Sequence, residues 1–116
     1  MKMNKLKQEL SHCTGSENYY KEYMDLIVTD GIKELQSLAK CNWLISDIAV
    51  IAKLQLKEEE FLTIIIEVDD EHNAVVYYDD GNGNILFKQE YDYTDFSVGS
   101  LKLFYSYGVL MIPSEY

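Results

Sequence analysis

At 116 residues, 47% of them hydrophobic, the chain has the length of one domain and enough apolar content for a core, which excludes general disorder. Its formal charge is −10, all ten basic residues are Lys, and without Arg it lacks the usual bidentate reader of phosphate and guanine. The imbalance is regional: residues 1–57 hold eight Lys and seven acids, whereas residues 58–116 hold two Lys (Lys88, Lys102) against thirteen acids, a net of −11 that argues against direct contact with nucleic acid or anionic membrane and favours basic partners.

The opening "MKMNKLKQELSHC" carries Lys but no apolar stretch of signal-peptide type, so secretion is not expected and a cytoplasmic location is. No run approaches the ~18 apolar residues of a membrane span. Leu6 and Leu10, at i and i+4, predict a short helix over Asn4–His12. In "TGSENYYKEYMDLIV", Thr14 or Ser16 can cap a helical turn, and Tyr19, Tyr20 and Tyr23 fall at spacings that share one helical face. At "TDGIKELQSLAK", Thr29 is the expected N-cap, with Asp30 in the first turn and an apolar stripe of Ile32, Leu35, Leu38 and Ala39. Asn42 is the expected cap of a third helix, "WLISDIAVIAKLQL", with Ile45, Ile48, Ala49 and Ala52 on one side and Leu44 and Ile51 widening it. Cys13 and Cys41 show neither CxxC spacing nor clustered His, so two reduced, partly buried thiols are expected.

From Glu60 the apolar period changes to two. "FLTIIIEV", "NAVVYYD", "ILFKQEYDY", "LKLFYSY" and "VLMI" read as five strands joined by acidic or Gly turns. Helices first and strands after predict a single α+β domain over 1–116. Its helical part is about 4–56, three helices packed on one face of a mainly antiparallel sheet, and its five-strand β-meander is about 60–113. "TIII" and "AVVYY" are apolar on both sides of the pleat. Either these strands are central and covered twice, by a tail over the second face, or that face is an interface such as a homodimer contact.

"VVYYDDGNGNILF" resembles the start of an EF-hand loop, but from Asp80 position 6 is Ile85, position 9 Lys88 and position 12 Tyr91. Asp-Gly and Asn-Gly supply the positive-φ residues of a tight hairpin instead, so the stretch is read as a turn. No P-loop, GxGxxG, zinc spacing or nucleophile elbow is present, and no metal or cofactor is expected. Asp69/Asp70 and Asp79/Asp80 fall in turns, where solvated acids are the ordinary reading. His12 precedes Cys13 but no nucleophile elbow accompanies them, His72 reads as a solvated turn residue, and Trp43, with its neighbours Leu44 and Ile45, reads as core. An enzyme is not expected.

Placed on a meander, Asp69, Asp70 and Glu71 share one end of the sheet with Asp92 and Asp95, while Glu58, Glu59, Glu60, Asp79 and Asp80 share the other. Glu90 alternates outward along the third strand, and Tyr77 supplies a stackable ring. Same-face residues on a strand stand ~6.8 Å apart, about two phosphate steps, so such rims can imitate a phosphate track. Acidic turns also serve solubility and edge protection.

Several stretches together resemble a family of short, uncharacterised proteins of bacterial, phage and plasmid genomes, labelled only as a domain of unknown function. They are "TDGIKEL", "WLISDIA", "DGNG", "YTDFSVGSLKLFY" and "GVLMIPSEY". The resemblance implies a stand-alone cytoplasmic domain, often in mobile elements, and assigns no catalytic residue. In structural terms, Thr94 or Asp95 of "YTDF" is expected to turn the chain through its own backbone, and Pro113 to end a strand. With the acidic rims, this leads to the expectation of an anti-CRISPR-like inhibitor. It would bind a basic nucleic-acid-binding protein, an RNA-guided nuclease being one such target, and block its guide or target site.

Overall fold

The computed structural model describes residues 18–39, 41–92, 94, 96 and 99–115, together with Lys5 and Gln8. Apart from those two positions, the helix expected over Asn4–His12 lies outside the described residues, as do Cys13, Thr14, Ser16, Tyr93 and Asp95.

The five predicted strands are all present, as β3 (Phe61–Val68), β4 (Ala74–Asp79), β5 (Ile85–Tyr91), β6 (Gly99–Ser106) and β7 (Val109–Met111). Two more precede them. The Tyr-rich stretch expected to be helical forms β1 (Tyr19–Lys21), a short 3₁₀ turn (Tyr23–Asp25) and β2 (Ile27–Thr29). The reason is tertiary: Ile27 and Val28 pair in parallel with Val109 and Leu110, and Tyr19–Lys21 pair back onto β2. The helical spacing of Tyr19, Tyr20 and Tyr23 marks no buried stripe, because all three are exposed. The signal that counts is the β-branched run Ile27-Val28-Thr29.

Two α-helices lie among the described residues, α1 (Asp30–Ala39) and α2 (Asn42–Val50). Thr29 caps α1 as expected, its Oγ1 accepting from the Ile32 N–H at 3.4 Å. Asn42 does not cap α2; Cys41 occupies that position and makes no side-chain cap bond. The expected run to Leu56 ends instead in a π-turn (Ile51–Gln55), closed by the Leu56 N–H on the Ile51 carbonyl at 2.8 Å. Its predicted apolar side is buried throughout: Leu44, Ile45, Ile48, Ala49, Ile51 and Ala52.

Among the described residues the sheet has seven strands in the order β1-β2-β7-β6-β3-β4-β5, antiparallel except where β2 meets β7. The expected meander is corrected here. β3, β4 and β5 follow one another as hairpins, but β6 returns across the sheet to pair with β3, a Greek-key order. A long apolar β3 wants a partner on each edge, and Gly99–Ser106 matches it residue for residue, from Phe61 opposite Ser106 to Val68 opposite Gly99.

Burial alternates along β3: Leu62, Ile64, Ile66 and Val68 are buried, while Phe61, Thr63 and Ile65 are half-buried and Glu67 exposed. The inner residues join Val76, Tyr78, Leu103 and Leu110 and the buried faces of both helices in one core. The central position of "TIII" and "AVVYY" is as expected; their outer residues are half-buried by cross-strand neighbours such as the tilted Phe61–Phe104 ring pair, 5.6 Å between centroids. No described helix is long and apolar enough to cross a membrane.

Candidate protein-binding surface

The sheet topology carries the predicted acids to two ends. β3 and β5 run the same way, so the turn after β3 (Asp69, Asp70, Glu71) and Asp92 after β5 share one rim, closed by the Thr94 N–H on the His72 carbonyl at 2.9 Å. Glu58, Glu59 and Glu60 lead into β3 at the opposite rim. There the Tyr107 N–H donates to the Glu60 carbonyl at 2.8 Å, and the Asp79–Asn84 turn packs beside Phe61. Eight strand residues separate the rims, about 25 Å at ~3.3 Å per residue, so they do not form one continuous track.

The acids divide by what their carboxylates do. Asp69 Oδ1 accepts from the backbone N–H groups of Glu71 and Asn73, both at 2.9 Å. Asp79, expected as a solvated turn acid, is 8% exposed and accepts from Gly81 and Gly83. Asp80 accepts from the Asn84 side chain and the Asn82 backbone, and these bonds hold its pKa below the usual carboxylate value. With Gly81 and Gly83 at φ +91° and +89°, the stretch is the hairpin connection from β4 to β5. Asp69, Asp79 and Asp80 therefore build turns. Glu58, Glu60, Asp70, Glu71, Glu90 and Asp92 stand exposed, and Glu59 is partly so.

Along β5, Lys88 and Glu90 alternate outward as expected, but they pair with each other at 3.3 Å. Tyr77 lies on the outer sheet face between Ile65 and Lys88, and Lys102 stands on the far side of Ile65. The middle of that face is thus apolar and flanked by lysines, and the acids belong to its ends.

Two constellations were not foreseen. The first joins two of the stretches that carry the family resemblance. Glu115 Oε1 accepts from Thr29 Oγ1 at 2.6 Å and from the Ile112 N–H at 3.1 Å, and Oε2 accepts from the Gly31 N–H at 3.0 Å. The Glu115 side-chain carboxylate of "PSE" thereby covers the N-terminus of α1 in "TDG", where an anion is favoured. The second corrects the core assignment of Trp43. This residue is 38% exposed, and its ring meets Tyr91 edge-on, 5.2 Å between centroids. The Tyr91 hydroxyl donates to Asp47 Oδ2 at 2.7 Å, and Asp47 stands one helical turn from Trp43. Burial first, and the Asp47 carboxylate second, push the Tyr91 hydroxyl pKa up, so it stays a donor. The i, i+4 spacing of Trp43 and Asp47 was legible; the approach of β5 was not.

Elsewhere Lys33, with Gln36, holds the Glu22 carboxyl below its usual pKa, the lysine ammonium lying 2.6 Å from Glu22 Oε2. Cys41 is fully buried, its Sγ 3.9 Å from the Leu35 carbonyl, and burial pushes its thiol up to about 12.

No curated protein and no solved structure matches the chain. A family model does match, over residues 4–116, nearly the whole length and every element described above. The chain belongs to that family, a family of unknown function (DUF6876).

Proposed function

We propose that this protein is a small acidic inhibitor of mobile-element origin, acting in the host cytoplasm. In this reading it binds a basic nucleic-acid-binding protein, such as an RNA-guided nuclease, and blocks the guide or target site. The observation that carries the reading is the exposure of Asp70, Glu71 and Asp92 at one end of the sheet and Glu58 and Glu60 at the other, in a chain with no Arg. Such ends steer the molecule toward a Lys/Arg-lined channel, and affinity then comes from a few buried aromatic contacts. No residue is given a catalytic role.

The test is affinity capture from a nuclease-treated bacterial lysate, washed at low and then high salt. A basic nucleic-acid-binding protein retained at low salt and released at high salt is the expected result, followed by loss of its guide or target binding in the presence of the inhibitor. Retention that ignores salt removes the electrostatic model. With the purified target, the triple variant Asp69→Asn/Asp70→Asn/Glu71→Gln slows association about tenfold at low salt and much less at high salt.

One observation favours a second reading, a homo-oligomeric accessory domain. Phe61, Ile65, Val75, Tyr77 and Phe104 give the outer sheet face an apolar centre with no described helix over it. A homodimer that persists on dilution in light scattering supports this reading, and a monomer at all concentrations removes it.

A further inference from the structure

The helices do not cover the sheet evenly. β5 is the last strand in the sheet order, and among the described residues nothing pairs with its outer edge, so a row of its backbone N–H and C=O groups faces outward. On the helix side, Phe87, Gln89 and Tyr91 remain partly exposed where their neighbours on β4, Val76 and Tyr78, are buried. At the end of this strip stand Trp43, Asp47 and Tyr91. Tyr91 fixes the other two in place, through the edge-on ring contact and the 2.7 Å hydrogen bond. Gln89 Oε1, 3.2 Å from the hydroxyls of both Tyr78 and Tyr91, holds the strand residues in register with one another.

The chemistry of this corner is that of a receptor for a cation. Asp47 gives one oxygen to Tyr91; its Oδ1 accepts no hydrogen bond among the described residues, and none of the three described ion pairs involves Asp47. The exposed indole beside it offers a π surface, which attracts guanidinium or ammonium groups. Aromatic ring and carboxylate together recognise an Arg or Lys head group and its apolar stem.

We infer that the corner of Trp43, Asp47 and Tyr91 receives an Arg or Lys side chain of the basic partner, carried on an extended segment that pairs with the open edge of β5. This rests on the proposed function for the partner's charge, and on strand addition as the way an exposed edge gains main-chain hydrogen bonds. At the corner the complementary charge is the Asp47 carboxylate itself, since the Lys88 and Glu90 charges of β5 pair with each other.

Trp43 is the single Trp of the chain, so its fluorescence reports this corner alone. The probe is a blocked hexapeptide of alternating Arg and Val; the control is the same peptide with citrulline, uncharged and nearly isosteric, in place of Arg. Saturable change in Trp43 emission with the Arg peptide and at least about tenfold weaker response with citrulline is expected. Asp47→Asn, which keeps an acceptor for Tyr91, weakens the Arg peptide by about tenfold, while Asp25→Asn, at an exposed carboxylate beside the opposite edge of the sheet, changes its affinity less than about threefold at physiological salt. Unchanged emission at millimolar peptide overturns the inference, as does an Asp47→Asn protein that binds like wild type or an Asp25→Asn protein that loses as much. The two readings fail separately. If wild type and Asp47→Asn capture a basic target equally from lysate, the corner is wrong and the inhibitor stands. If the peptide binds as expected and no basic protein is captured, the corner stands without the inhibitor.

Discussion

Gly31 and Glu115 are 84 residues apart in sequence and meet at one hydrogen bond of 3.0 Å. A Cβ on Gly31 would press against the Glu115 carboxylate and sit 2.8 Å from Ile112 Cγ1, closer than side chains pack. Gly31→Ala is therefore expected to cost about 1–3 kcal/mol in urea unfolding, although alanine ordinarily favours a helix. Glu115→Ala removes the cap from three donors and is expected to cost about 1–2 kcal/mol. The double variant should cost less than the sum, because one partner of the clash is gone. The same scale separates the acids: Asp79→Ala, which orphans the N–H groups of Gly81 and Gly83, should cost about 1–2 kcal/mol, and Asp70→Ala within about 0.5 kcal/mol of zero. A turn-builder and a surface acid look alike in "DD"; only the direction of the carboxylate distinguishes them. Cys41 gives a further check. In a Cys13→Ser background its thiol, fully buried, should resist a disulfide reagent at pH 8 in the native protein and react on unfolding.

Among the elements, those with a one-sided apolar period were legible and those defined by their partners were not. α1 and the buried face of α2 follow from the spacing of Ile32 and Leu35 and of Ile45, Ile48 and Ala52. β3 to β7 follow from alternation and from the acidic and Gly turns between them, Asp-Gly and Asn-Gly among them. β1 and β2, with three residues each, carry too little local pattern, and pairing with β7 decides them. The π-turn after α2 likewise has no signature in "IAKLQL". The candidate site divides in the same way. That the acids of the turns gather at two ends follows from hairpin connectivity alone, whereas the meeting of Trp43 and Asp47 with Tyr91 needs α2 laid across the far end of β5.

For the molecule as a whole, the core holds ionisable groups in their neutral forms. Burial raises Cys41 from 9.0 to about 12 and raises Tyr78 and Tyr91 as well. The unfolded chain releases these protons first, so between about pH 9 and 12 the native state binds more protons and its stability falls as pH rises. Each such group contributes up to about 1.4 kcal/mol per pH unit in that window. Urea midpoints measured from pH 8 to 10.5 should decline, and Cys41→Ala, whatever its cost at pH 7, should decline less steeply. On the acid side Glu22, held low by Lys33 and Gln36, acts in the opposite sense: its contribution is present above the ordinary carboxylate pKa and is lost as pH falls through its lowered one.

The α+β class, the apolar faces and the concentration of acid in the second half were determined by the sequence itself, because each depends on local period or on charge counts that folding does not change. Tertiary structure alone decided that β6 crosses to β3, that β2 joins β7 in parallel, that Glu115 closes the head of α1, and that Trp43 stands at the surface. Those contacts join residues about 30 to 90 positions apart. A long-range contact of this kind is favoured by the surface and hydrogen bonds that both partners bring together, and neither partner's local sequence records the other.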